Sequence, residues 1–142
     1  MKQRLRILIK QKINKPEKQG IEGVTSMSDI QFSDWQKIDL RVGKIEKVED
    51  MEGADKLYKL TIDVGAETGK RVVCAGIKKF YSAKELKGKK VILFVNLAPR
   101  MMRGIESKGM ILAAVNEDES KVSLLQPKLD IQEGMKIEFK NG

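Results

Sequence analysis

Tyr58, Leu60, Ile62 and Val64 alternate with Lys59, Thr61 and Asp63. A period of two places the apolar set on one face of an extended chain and the polar set on the other, the signature of a half-buried β-strand. The same kind of signal recurs in short segments from Ile38 onward. Ile38, Leu40 and Val42 alternate and the phase then slips across Gly43 to Ile45, which predicts a glycine bulge bending one long strand. Arg71 to Ile77 and Val91 to Leu97 are nearly continuous in apolar residues, as expected of enclosed strands. Between them, residues 81–88 combine a capping box (Ser82 with Glu85), a staple pair (Tyr81 with Leu86) and the terminating Gly88, which predicts one short helix. Met110 to Val115 reads as a fifth strand. The polar turn Asn116 to Ser120 joins it to a further strand near Val122 to Leu125, and a last alternation runs Met135, Ile137, Phe139. Three strands, a short helix and two strands in that order predict an all-β chain: an OB-fold five-stranded barrel with one short helix and extra C-terminal strands.

At 142 residues the chain has the length of one domain with a tail, too short for a binding domain plus a full catalytic one. It contains no histidine, which removes the commonest general base, the commonest zinc ligand and any Ser-His or Cys-His pair. Glu46, Glu49, Asp50 and Glu52 sit in a mixed charged stretch and read as solvated surface. The single cysteine, Cys74, lies in an apolar run and reads as a buried thiol. The expectation is therefore a non-catalytic protein with no cofactor and no metal. No run of about 18 apolar residues is present to span a bilayer, so a cytoplasmic location without a membrane partner is expected.

The net charge of +8 is unevenly placed. Residues 1–26 carry seven bases and two acids, a net +5, leaving +3 for the rest. Pro16, Gly20 and Gly23 break this stretch before a second methionine, Met27. Residues 1–26 thus read as a basic N-terminal arm or linker, with Met27 as an alternative natural start. Residues 27–142 read as the folded domain, extended from about residue 120.

Four segments taken together resemble the tRNA-binding domain family found at the C-termini of methionyl-tRNA synthetases and as free-standing dimeric tRNA-binding proteins. They are Asp39-Leu40-Arg41-Val42-Gly43-Lys44-Ile45, Ala54-Asp55-Lys56-Leu57-Tyr58, Val73-Cys74-Ala75-Gly76-Ile77, and residues 96–110, NLAPRMMRGIESKGM. The match spans roughly Phe32 to Val115 in order. One departure is Met51-Glu52-Gly53, where many members carry a His-Pro pair. The resemblance implies tRNA as the partner, an accessory role to methionyl-tRNA synthetase or a free-standing one, and a homodimer, with the apolar C-terminal extension as its candidate interface. Because a small export chaperone shares this fold, binding of unfolded polypeptide is the alternative.

Residues 96–110 are also singled out on physical grounds. They leave an enclosed strand, pass Pro99, which cannot continue a ladder, and present Arg100, Arg103 and Lys108 beside Gly104 and Gly109. Guanidinium groups suit phosphate oxygens by bidentate geometry, and glycines admit a close backbone approach. Asn96 and Ser107 can hydrogen-bond sugar or phosphate, and Met110, with Met101 and Met102, offers adaptable apolar surface. Arg41 and Lys56 sit in the matched motifs as secondary contacts. The expected RNA-binding set is therefore Arg41, Lys56, Asn96, Arg100, Arg103, Ser107, Lys108 and Met110. Of the seven aromatic residues, Tyr58, Phe94 and Phe139 fall in strand alternations and Tyr81 in the helix staple. Few rings remain on which bases could stack, so the expected mode is shape and backbone recognition of a folded tRNA.

Overall fold

The structure is a computed structural model that describes residues 28–140. The basic arm of residues 1–26 and the alternative start at Met27 lie outside the described residues. Among them, 38–114 and 123–140 belong to one compact unit, while 28–37 and 115–122 belong to another. The smaller unit holds a single-turn helix, α1 (Phe32–Trp35), entered through Gln31, whose backbone N–H donates to the Asp34 Oδ2 at 3.2 Å. It also holds the polar turn at 116–121, tied by Lys121 N–H to Asn116 Oδ1 (2.8 Å) and by Ser120 N–H to Asp118 Oδ1 (3.1 Å).

The larger unit is built on β1 (Leu40–Met51), β2 (Ala54–Asp63), β3 (Lys70–Ala75), β4 (Lys90–Phe94) and a short β7 (Met110–Ile111). These strands form one antiparallel sheet in the order β3-β2-β1-β4-β7. The twelve-residue β1 pairs β4 through its first half (Leu40 to Lys44) and β2 through its second (Lys44 to Met51). One strand thus serves both sides of a strongly curved sheet, the construction of an OB-fold barrel. The alternation in β2 does what its period dictates: Tyr58, Leu60 and Ile62 are buried and Val64, just past the strand, is fully buried. With Val42, Ile45, Val73, Leu86, Val91 and Leu93 they make the core, each such side chain contributing about 1.5–3 kcal/mol by leaving water.

The bend in β1 differs from the expectation in its location. The register shifts between Ile45 and Lys47, not at Gly43, which pairs in register with Val91. Gly43 has a packing role: a Cβ there would stand 2.6 Å from the Ile62 Cγ2, so a glycine lets β1 cross close over β2. The helix α3 (Ala83–Leu86) forms where expected, with Ser82 N–H donating to Glu85 Oε1 (2.8 Å) and Glu85 N–H to Ser82 Oγ (3.1 Å). The Ser82 backbone N–H, and then its hydroxyl, hydrogen-bond the ionised form and hold the Glu85 carboxyl below its usual range. Two further single turns, α1 and, after β2, α2 (Gly65–Thr68), were not foreseen. The third and fourth strands stop at Ala75 and Phe94, two and three residues short of the apolar runs that announced them.

The segment between β4 and β7 carries its own hairpin, β5 (Arg100–Met102) with β6 (Ile105–Ser107). After β7, β8 (Ala113–Val115) and β9 (Val122–Leu124) pair as a two-stranded ribbon. The final alternation is corrected by the structure: Met135, Ile137 and Phe139 do not lie in a strand. Residues 134–137 run beside the first turn of β1, with Gly134 N–H to Val42 O (2.8 Å), Val42 N–H to Met135 O (2.9 Å) and Ile137 N–H to Leu40 O (2.8 Å). A lone bridge pairs Arg41 with Lys136. Only this stretch of β1 is open on that side, because β2 pairs β1 from Lys44 onward. Upstream, Lys90 Nζ clasps the segment through Asp130 (2.7 Å), Ile131 O (2.8 Å) and Glu133 (3.1 Å). The pairing holds both acids below their ordinary pKa values.

Candidate nucleic-acid interface

The β5–β6 hairpin is positioned by the gap in the sheet that it helps to close. Edge strands β3 and β7 do not share a continuous ladder. Instead the Lys108 N–H donates to Val72 O at 2.9 Å, and the Cys74 N–H donates to Ser107 Oγ at 3.0 Å. A serine hydroxyl thus takes the place of a ladder carbonyl, satisfying an N–H that is buried and would be costly to leave unpaired. Below the hairpin, Met102 and Ile105 pack on a buried cluster of Met51, Ala54 and Cys74, with Leu57 beside them. Burial pushes the Cys74 thiol up from its usual pKa, as expected of a structural cysteine. The hairpin is therefore fixed at its stem by packing and at its exit by two hydrogen bonds.

Strand pairing divides the hairpin into two faces. Arg100 opposes Ser107 and Met102 opposes Ile105, while Met101 opposes Glu106. Arg100 and Met102 thus share the face that Ser107 and Ile105 occupy, and Met101, 68% exposed, points to the other. Arg100 and Arg103 are exposed, and neither side chain has an ion-pair or hydrogen-bond partner among the described residues. Lys108 is also exposed but stands 3.6 Å from Glu106, a surface pair of small energy. Lys56 is exposed near the start of β2, its carbonyl accepting from the Lys78 N–H at 3.2 Å. Met110 is half-buried, opposite Phe94 in the β4–β7 pair.

Three of the expected contact residues are occupied within the fold. Ser107 is 3% exposed, and besides accepting from Cys74 its hydroxyl donates to Gly109 O at 3.4 Å. It anchors the loop and offers no surface to a ligand. Arg41 makes three contacts: Nε to Asp39 Oδ1 (2.8 Å), and Nη1 to Glu67 Oε1 (3.2 Å) and Gly134 O (3.3 Å). The hydrogen bond it donates to Asp39 raises its pKa above the ordinary arginine value. Asn96 accepts the Asp39 N–H at 2.8 Å, tying the exit of β4 to the entry of β1. Gly109 likewise works for the fold, since a Cβ there would meet Phe94 O at 2.8 Å.

One neighbour of the site was not foreseen. The β1–β2 turn comes up against Arg103, whose Nη1 lies 3.8 Å from the place a Cβ on Gly53 would occupy. No local pattern in the sequence signals this approach, which arises only when the fold brings residues 53 and 103 together. The acids near this turn are largely committed: Asp50 pairs Lys78 (3.0 Å), Glu46 pairs Lys70 (2.9 Å), and Glu49 lies between Lys47 and Lys59 (3.7 and 4.0 Å). Among the described residues no group of three or more His, Cys, Asp or Glu is placed to hold a metal ion, and no helix is long and apolar enough to cross a membrane. Of the rings, Phe80 (38%) and Phe139 (56%) are exposed in this unit while Tyr58 is buried.

Residues 40–136 match the family described as "Putative tRNA binding domain". The methionine–tRNA ligase of Pyrococcus furiosus is 40% identical over 132 residues, covering 93% of this chain and 18% of that protein. The enzyme of Caldanaerobacter subterraneus is 48% identical over 108 residues, covering 76% of this chain and 16% of that protein. The chain thus spans less than a fifth of the length of these relatives. Among solved structures, a MetRS related protein from Pyrococcus horikoshii superposes with a TM-score of 0.72 at 33% identity, covering 78% of this chain and 99% of that one. The CsaA chaperone protein from Picrophilus torridus gives 0.70 at 37% identity, covering 78% of this chain and all of that one. The chain belongs to the tRNA-binding domain family.

Proposed function

We propose that the chain is a non-catalytic tRNA-binding module that recognises folded tRNA by shape and phosphate backbone, acting free-standing or as an accessory to methionyl-tRNA synthetase. The observation that carries this reading is the pair Arg100 and Arg103, exposed and without partners among the described residues, on a hairpin whose stem is fixed. An arginine left unpaired on a rigid support keeps its planar fork of donors for an external anion. Lys56 and Lys108 extend the cationic surface, and Met110 borders it. Arg41, Asn96 and Ser107 act one step back, holding the strands and the loop that present the contacts. Few exposed rings are at hand for base stacking, which favours backbone over base recognition. Residues 27–142 form the binding domain, with a C-terminal extension from about residue 120 as the homodimer interface.

The test is a fluorescence anisotropy titration with intact tRNA and with single-stranded RNA of equal length. Intact tRNA binds more tightly, and affinity falls steeply with salt because phosphate contacts release counterions. A flat salt response overturns the reading. Removing residues 1–26 checks that the arm is not the source of the affinity.

A second reading, a chaperone for unfolded polypeptide, is favoured by the exposed apolar side chains Met101, Leu125, Leu129, Ile131 and Met135. Under it, apolar peptides compete with tRNA, and Arg100→Ala/Arg103→Ala spares peptide binding.

A further inference from the structure

The β5–β6 hairpin turns in two residues, Arg103 and Gly104, between the paired Met102 and Ile105. Both have positive φ, 52° and 81°, the arrangement of a type I′ turn. That turn selects asparagine, aspartate or glycine at its first central position. Other side chains crowd the following carbonyl when the backbone is left-handed. Among the described residues, only Arg103 and Glu119 hold positive φ without being glycine.

Nothing within the described fold offsets the strain at Arg103. Its guanidinium is exposed and has no hydrogen bond or ion pair there. The stem on either side of it does hold the turn, because Met102 and Ile105 are packed on Met51, Ala54 and Cys74. The strained residue is thereby projected over Gly53 of the β1–β2 turn. A backbone outlier that its surroundings enforce, carrying a side chain with no internal use, points to an external one.

We infer that arginine is kept at position 103 against the preference of its turn as a phosphate contact, so that the protein is less stable but binds RNA more tightly than with asparagine there. This rests on the tRNA-binding reading and adds to it a trade between stability and affinity located at one residue.

The experiment compares wild type with Arg103→Asn, Arg103→Lys and Arg100→Ala, by thermal unfolding without RNA and by titration with intact tRNA over a range of salt. Arg103→Asn relaxes the turn and raises Tm by about 3 °C. It lowers affinity about tenfold and reduces the salt slope by about one. Arg103→Lys keeps both the strain and a charge, so its Tm stays at the wild-type value and its affinity falls less than that of the asparagine variant. Arg100→Ala loses affinity with Tm unchanged. A Tm for Arg103→Asn no higher than wild type overturns the inference. So does an unchanged affinity, and if Arg100→Ala weakens binding in the same series, the tRNA-binding reading survives that failure. A wild-type protein that does not bind tRNA overturns both.

Discussion

The corner around Arg41 and the tip of the β5–β6 hairpin both present guanidinium groups at the surface of one barrel, yet they are wired in opposite ways. At the corner, Asp39, Glu67 and the Gly134 carbonyl converge on Arg41, whose side chain is 20% exposed. At the hairpin, Arg100 and Arg103 are solvated and meet no acceptor among the described residues. The difference follows from what each region must hold together. Arg41 lies where the start of β1, α2 and the C-terminal segment meet, and a planar five-donor group can bind all three. The hairpin has its stem fixed by apolar packing and by Ser107, so its arginines are not needed for structure. A charge is available to a ligand only when the fold has no use for it.

This contrast breaks most sharply if the hairpin arginines prove dispensable. Arg100→Ala/Arg103→Ala is expected to weaken tRNA binding about 100-fold, near 2.7 kcal/mol, and to flatten the salt slope by about two, with unfolding by urea unchanged. Ser107→Ala comes next. It leaves the buried Cys74 N–H without its acceptor, and about 2 kcal/mol of stability is lost in urea unfolding. Affinity then falls only as far as the hairpin loosens, about threefold. If Ser107→Ala weakens binding tenfold or more with stability intact, Ser107 is a contact and the division between anchoring and contacting residues fails.

Much of the scaffold was legible because it depends on short-range regularities. The period of two from Tyr58 to Val64 specifies a strand without reference to any distant residue, and Ser82 with Glu85 specifies a helix start within four residues. The hairpin was not legible: β5 and β6 have three residues each, too few for a period, and Pro99 suggested a loop. Ser107 was read as a polar contact because its partner, Cys74, is 33 residues away across a gap in the sheet. Arg41 shows the same limit. Asp39 is near in sequence, but Glu67 and Gly134 arrive only with the fold. Residue type and local pattern located the loop; which of its polar groups remain free depends on long-range closure.

Arg41→Ala tests the corner directly. Removing the guanidinium leaves Asp39 half-buried without its cation and frees the C-terminal segment from one of its ties, so about 1–2 kcal/mol of stability is lost. Urea unfolding measures this, and tRNA affinity well below the midpoint stays within about threefold of wild type. An affinity loss larger than that at constant stability would place Arg41 among the contacts and merge the two regions.

The smallest expected effect sharpens the comparison at the hairpin. Glu52 is exposed in the β1–β2 turn, next in sequence to the glycine over which Arg103 lies, and it makes no ion pair among the described residues. Its carboxylate has no part in the fold, so Glu52→Gln leaves stability unchanged. Toward an incoming phosphate it acts as a like charge, and toward Arg103 as an opposing one that draws the guanidinium back. Both effects disfavour binding, and across solvent each is worth only tenths of a kcal/mol. Glu52→Gln is therefore expected to tighten tRNA binding about twofold at low salt, with the gain vanishing as the Debye length shrinks. Measured in the Arg103→Asn background, the gain should fall, because one of its two sources is gone. If the gain persists undiminished there, Glu52 acts on the RNA alone, and the β1–β2 turn is a separate part of the interface.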